Sequence, residues 1–422
     1  MAQTAAAVAA LGLTKPNVVD PLQIIFAAID IEPSDWEGDV LAVAVTEKDV
    51  CRSPGSSFEN AVLKRLDSQF GGLLSEASAE EDFSGKAGTV LGLYEDNRYR
   101  SESSKVHLKR VDLIGFGYGP EVDSKLELAS HVSSGVTFGK DLVNSPANVL
   151  TPVVLAGEAS KIASTYSDVF TATILDEERC RELKMGSYLA VAAASANPPR
   201  FIHLCYKPPG GNVKRKLAIV GKGLTFDSGG YNIKVGAVCS IELMKWDMGG
   251  SAAVFGAAKA LGQIKPPGVQ VDNTDAEGRL TLADALVYAC KQGVDKIIDL
   301  ATLTGFCRVA LGPSIAGILT PSDELHEEVA AASEVSGEKL WRLPLEESYW
   351  ETMKSGVADM LNTGAIPQGG VITAALFLKQ FVHEKVQWMH IDIAGPVWSH
   401  KNRSATGFGV STMVEWVLRN SS

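Results

Sequence analysis

The chain has 422 residues, 45% hydrophobic and 21% charged, with a formal net charge of −11. That length exceeds one ordinary hydrophobic core, so two domains are expected. The acidic balance leaves no electrostatic footprint for nucleic acid or an anionic membrane surface, and no apolar run approaches the roughly 18 residues of a membrane span.

In chain order, the opening "MAQTAAAVAALGLTKPN" carries an apolar patch with no basic residue before it and lacks the Arg and Ser richness of an organelle transit peptide. It reads as the frayed end of a cytoplasmic chain, although a processed or truncated plastid form would begin similarly. "DVLAVAV" (39–45), "TVLGLY" (89–94) and "VDLIGFG" (111–117) read as strands, and "SFENAVLKRLDSQF" (57–70) as an amphipathic helix. "TFGKDLVNSPANVLTP" (137–152) mixes Asn, Ser and Pro and reads as a connection leading into a helix over 153–164, which sets a boundary near 136. The expected domains are therefore 1–135 and 136–422. Beyond the boundary, "KLAIVGKG" and "KIIDLATLTG" are buried strands that end in Gly/Thr loops, and "GGSAAVFGAAKALGQI" is a helix of small residues stopped by "KPP". Alternation of strands and helices in both halves gives an α/β fold class. There are no internal repeats, and low complexity is confined to the ends.

Several familiar chemistries are set aside by spacing. "GFGYGP" follows a strand but is G-x-G-x-G with no acid at the required distance, so a tight turn is the better reading than a dinucleotide site. "VGKG" lacks the flanking residues of a phosphate loop. The seven histidines give no HExxH, and Ser251 has no G-x-S-x-G elbow. Six cysteines (Cys51, Cys180, Cys205, Cys239, Cys290, Cys307) form no CxxC pair, so neither a thiolate zinc cluster nor a disulfide framework is indicated, and a reducing compartment fits. Catalysis, if present, rests on Asp, Glu, Lys and Arg.

Three segments gather those residue types. "GKGLTFDSGGYNIK" carries Lys222, Asp227 and Lys234; "MKWDMGG" carries Asp247; "DNTDAEGRLTLADAL" carries Asp275, Glu277 and Arg279. Taken singly, each has a bland explanation: a structural ion pair at a strand end, or acids capping a helix start. Taken together they place carboxylates at a strand end or helix start beside glycines, where open α/β sheets put their ligand crevice. Four carboxylates converging without a counter-ion would drive one another's pKa upward, and divalent metal resolves the conflict. Oxygen-rich ligation suits magnesium or manganese and is tolerated by zinc, and four carboxylates can bridge two ions. Two ions about 3.5 to 4 Å apart polarise a carbonyl and activate a shared water, which points to a hydrolase.

These residues resemble the leucine aminopeptidases, the cytosol aminopeptidase family, in its plant type. The resemblance rests on "NTDAEGRLTLADAL", "GKGLTFDSGGYNIK", "MKWDMGG", "LVNSPANVLTP", "DLATLTG", "ITAALFL" and "HIDIAGP", and so covers nearly the whole chain. It implies a smaller N-terminal α/β domain of macro-like architecture and a larger C-terminal α/β catalytic domain with a central mixed sheet. It also implies two divalent ions per subunit, manganese or zinc with magnesium as a third choice, held by Lys222, Asp227, Asp247, Asp275 and Glu277. Lys222 would then have to be neutral, the metal's own charge depressing its pKa. Lys234 and Arg279 are the implied catalytic side chains, Arg279 holding a bicarbonate that serves as general base. Met244, Thr302, Leu303 and Gly305 would line the pocket for the first side chain of a peptide substrate. The implied activity is release of N-terminal leucine and other apolar residues from peptides in intracellular turnover, by a homohexamer.

The chain departs from that pattern in one major way. Roughly thirty to forty residues expected between the small-residue helix and the signature are missing, and "KPPGVQVDNTDAEG" joins the two ends directly. A helix from Gly249 to Ile264 is about 24 Å long at 1.5 Å per residue. The residues from Ile264 to Asp275 can return across about 36 Å. "GVQV" is expected as a short returning strand in a sheet that has lost a neighbour and carries an unpaired edge. Further departures are the connection over 89–110, the loop "NTGAIPQGG", and Phe306 in place of a small residue beside the pocket. Two rival readings follow: an impaired homologue retained as a structural or interaction subunit, favoured by the missing segment, and a nucleotide-binding first domain, favoured by "GFGYGP" alone.

Overall fold

Short runs of apolar and β-branched residues form a three-stranded parallel sheet in the first unit, with β1 (Ile25–Ala28) and β2 (Val40–Val43) flanking β3 (Arg110–Ile114). In the computed structural model the described residues are 25–29, 31, 36, 40–51, 58–69, 71–80, 83, 110–115 and 117–421, less 231–232, 236–239, 277 and 365–367, and without the side chains of 273–276. Within this unit α1 (Ala61–Gln69) turns Leu63 and Leu66 inward, and α2 (Leu73–Glu80) follows it. The strand expected over 89–94 lies outside the described residues.

The chain divides into two units, Met1–Ser130 and His131–Ser422. The division falls within α3 (Pro120–Asn144), which starts with Pro at its first position and Glu121 and Asp123 in its first turn. This helix overturns the connection expected from 137 onward, since helical structure continues to Asn144. The physical reason is close packing: a Cβ on Gly135 would lie 2.4 Å from the Gly256 carbonyl oxygen, and one on Gly139 would lie 3.1 Å from that of Ala252. Glycines spaced by four residues let two helices touch along their backbones.

The second unit is built on one eight-stranded mixed sheet in the order β10-β9-β11-β8-β6-β7-β5-β4. Its strands are β4 (Phe170–Leu175), β5 (Phe201–Tyr206), β6 (Val213–Lys222), β7 (Gly268–Ala276), β8 (Lys296–Ala301), β9 (Ile315–Leu319), β10 (Lys339–Arg342) and β11 (Gln387–Asp392). Along β6, Leu217 and Ile219 join one buried layer while Ala218 and Val220 join the other; β8 alternates likewise. A sheet buried on both faces needs such near-continuous apolar strands. One face is covered by α3, α4 (Pro152–Thr165), α7 (Gly249–Ile264), α10 (Asp323–Ser336) and α12 (Val410–Arg419). The other is covered by α5 (Glu177–Glu182), α6 (Gly186–Ala192), α8 (Gly278–Lys291), α9 (Gly305–Leu311) and α11 (Gly370–Lys379).

The expected unpaired edge does not exist. "GVQV" and the start of the signature form a single continuous strand, β7, which pairs in parallel with β6 and antiparallel with β5. The strand fills the slot between its neighbours, with Val269 and Val271 fully buried. The segment 272–276, which as sequence resembled a helix start, is therefore strand, and the helix begins only at Gly278.

Candidate active site

Four parallel strands, β6, β7, β8 and β11, end at the same side of the sheet, and their last residues are Lys222, Ala276, Ala301 and Asp392. Lys222, buried, donates from Nζ to Asp247 Oδ1 at 2.6 Å and to the Thr302 carbonyl at 2.9 Å. Asp247 is the last residue but one of the eight-residue 3-10 segment Ile241–Met248 that feeds α7. The glycines that follow let the helix start lie directly on the sheet: a Cβ on Gly250 would stand 2.1 Å from the Leu300 carbonyl oxygen and 2.7 Å from the Lys222 nitrogen. That close approach brings Asp247 to the end of β6.

The Thr302 hydroxyl donates to Asp247 Oδ1 at 2.8 Å and to its carbonyl at 3.1 Å. Asp247 Oδ2, also buried, has no hydrogen-bond partner among the described residues. Burial pushes the Asp247 pKa up, Lys222 pulls it down by charge and hydrogen bond, and the nearby Asp227 charge pushes it up again. Asp227 accepts from the Gly229 amide at 2.8 Å and pairs through Oδ2 with Lys234 Nζ at 2.7 Å. A buried carboxylate oxygen without a donor, beside a second carboxylate, costs free energy unless a cation meets it. The donor set, oxygens plus one amine nitrogen, fits a hard divalent cation.

The signature reaches this place through its backbone. Asp275 lies beside Gly221 and Ala276 beside Lys222 in the β6–β7 ladder. The Asp275 side chain and all of Glu277 lie outside the described residues. Among the described residues no group of three or more His, Cys, Asp or Glu could hold a metal ion. Arg279 stands in the first turn of α8 and donates from Nη1 to the Asn362 carbonyl at 2.7 Å. Burial lowers its pKa while the Asp392 charge raises it.

The expected pocket residues are placed less uniformly. Met244 is packed into the buried layer on the α7 side, whereas Leu303 packs against the layer on the α8 side. Thr302 spends its hydroxyl on Asp247, and Gly305 opens α9 at the surface. Phe306 is 52% exposed, and its ring occupies the space a Cβ on Gly370 would need. A separate groove, lined by Val287, Cys290, Phe381 and Val386, lies at the opposite ends of β8 and β11 and takes no part in this site.

Sequence reasoning missed Asp392, His390 and Asp299. Asp392 accepts from the amides of Leu303, Thr304 and Ala394 and from the Thr304 hydroxyl. His390 Nδ1 meets Asp299 Oδ1 at 2.5 Å, and Trp388 Nε1 donates to Asp299 Oδ2 at 2.7 Å. The available signal was polar residues at alternate positions of an otherwise apolar strand, "QWMHIDIAGP".

A family profile described as "Cytosol aminopeptidase family, catalytic domain" matches residues 137–269 and 266–414. The two matched stretches meet at the joint between α7 and β7. Leucine aminopeptidase 2, chloroplastic, of Oryza sativa subsp. japonica is 64% identical, over 100% of this chain and 89% of that protein. Leucine aminopeptidase 1 of Arabidopsis thaliana is 57% identical, over 98% of this chain and 99% of that protein. The structure of a tomato leucine aminopeptidase mutant superposes with a TM-score of 0.83 at 50% identity, covering 97% of this chain and 99% of the other. The rice alignment spans 533 positions for all 422 residues here, so 111 positions (533 less 422) have no counterpart. By profile, by identity along its whole length and by fold, the chain belongs to the cytosol aminopeptidase family, a family of metallo-aminopeptidases.

Proposed function

We propose that the chain is a two-metal aminopeptidase that releases N-terminal leucine and other apolar residues from peptides in intracellular protein turnover. The observation that carries the reading is the buried Oδ2 of Asp247, unpartnered among the described residues, where Lys222 and Asp227 come close to it and the signature backbone arrives at the same strand ends. Lys222, Asp227, Asp247, Asp275 and Glu277 would hold two divalent ions, manganese or zinc, with magnesium the third candidate. When bound, such ions polarise the scissile carbonyl and lower the pKa of a bound water to about 7.

The protein's own groups supply the rest. Lys222, which pairs with Asp247, would have to be neutral to serve as the nitrogen ligand of such an ion. Lys234, held by Asp227, would be the cation that stabilises the oxyanion of the tetrahedral intermediate. Arg279, at a helix N-terminus, offers a charge and free backbone N–H groups to an anion such as bicarbonate, which would accept the proton. Met244, Thr302, Leu303 and Gly305 would border the side chain of the first residue. We further assign the chain to a homohexamer. The rice relative at 64% identity and the neutral leucine aminopeptidase of tomato are named chloroplastic, which supports a plastid over a cytoplasmic location.

The test is hydrolysis of leucyl amide beside N-acetyl-leucyl amide, with manganese added and then removed by a chelator. Cleavage of the free amine alone is expected, lost on chelation. Equal cleavage of the acetylated compound, or activity that survives chelation, overturns the proposal.

A further inference from the structure

Trp388, His390 and Asp392 alternate along β11 and therefore share one face of the strand, the one covered by α8 and α11. His390 and Asp392 are fully buried, as is Asp299 directly across the β8–β11 ladder from His390. Nothing in the proposed chemistry uses them. Burial drives His390's pKa down, but the charges of Asp299 and Asp392 outweigh it and leave the imidazole above its ordinary value. Asp392 in turn faces two cations, His390 and Arg279. The charges thus alternate from the centre of the sheet to the first turn of α8.

The hydrogen bonds of Asp392 lead into the site. Oδ1 accepts from Leu303 N at 3.2 Å and Ala394 N at 3.1 Å; Oδ2 accepts from Thr304 N at 3.0 Å and Thr304 Oγ1 at 2.6 Å. Two residues before Thr304, Thr302 holds Asp247 by its hydroxyl and Lys222 by its carbonyl. We propose that Asp392 is a positioning residue for the metal centre: it fixes residues 302–304, and Thr302 in turn aims the carboxylate of Asp247. Carboxylates that ligate metal are commonly oriented by hydrogen-bonded neighbours, whose loss costs about 10- to 100-fold in metal affinity. The inference rests on the metal-centre reading above and extends it to a residue that touches neither ligand nor substrate.

Asp392→Asn keeps the side chain's shape but turns an NH2 toward two of the four donors in either orientation of the amide. The measurement is calorimetric titration of manganese into metal-stripped protein, with kcat and KM for leucyl amide and a thermal melt on the same samples. Asp392→Asn is expected to weaken manganese binding about 10- to 100-fold and to lower kcat more than KM. Thr304→Val, which removes one hydroxyl and leaves the amides, should move both in the same direction by less, and Thr304→Ser should restore them. That pair carries the test if Asp392→Asn does not fold. Variants that melt lower but bind manganese as the wild type does would make Asp392 a structural cap and sink the proposal. A wild-type protein that binds no manganese would overturn the metal-centre reading itself, and the inference with it.

Discussion

Gly250→Ala probes the contact that brings Asp247 to the strand ends. The added Cβ would stand 2.1 Å from the Leu300 carbonyl oxygen, where real Cβ atoms stay beyond 3.0 Å, and the next atoms it meets are the Lys222 nitrogen and the Leu300 carbonyl carbon. All of these are backbone, so no side chain can swing away. The helix must retreat by about 0.9 Å, and a gap of that size forfeits roughly a quarter to a half of each dispersion well along the contact. Since α7 is buried on nearly every side, overpacking there should cost about 3 kcal/mol, the top of the usual range. The control is Gly157→Ala in α4, an exposed helical glycine with no atom within 4 Å of its Cβ position, expected to stabilise by about 0.5–1 kcal/mol. Urea unfolding followed by tryptophan fluorescence reads the second unit, because Trp36 alone of the seven tryptophans precedes residue 131. A Gly250→Ala protein as stable as wild type, or one that binds manganese unchanged, would refute the close-approach argument.

Lys234→Ala should keep bound metal and lose about 10² to 10³ in kcat, the scale of one oxyanion partner, whereas unchanged turnover would exclude that role. His390 has a folded-state pKa above its unfolded value, so the stability it contributes is full below about pH 6.5 and is lost as pH rises through the folded value. The stability difference between wild type and His390→Gln should therefore shrink as pH is raised from 6 into the alkaline range; a difference independent of pH would contradict the charged pair. Because β7 is hydrogen-bonded on both sides, the amides of 269–275 should exchange with deuterium as slowly as those of Leu217–Val220 in β6, and exchange at loop rates would show that the joined strand does not form.

What the sequence disclosed follows from how local each signal is. The small-residue helix was legible to the residue as Gly249–Ile264, because a double glycine opens it and Lys265-Pro-Pro closes it. The strands ending at Lys222 and Ala301 were legible from their apolar runs. The continuation of α3 to Asn144 was not, because Asn and Ser near its end suggest a loop, and what favours helix is a contact with Gly256 more than a hundred residues away. Likewise the place of β7 depends on β5 and β6, since "GVQV" and "DNTDA" carry no mark that they form one strand. At the site, residue types marked Lys222, Asp227 and Asp247 as candidates, and only the family resemblance made Lys222 and Asp247 expected ligands and Thr302 a pocket residue; nothing in the sequence shows that the Thr302 hydroxyl meets the Asp247 carboxylate. The buried His390 and Asp299 pair likewise required the β8–β11 register to be seen.

The most direct measurement is the metal content of the purified chain taken together with its turnover of leucyl amide. Two manganese or zinc ions per chain are expected at saturation, with hydrolysis that disappears when they are stripped and returns when they are restored. A folded chain that binds no divalent ion, or that binds two and leaves leucyl amide intact, would contradict the proposed function.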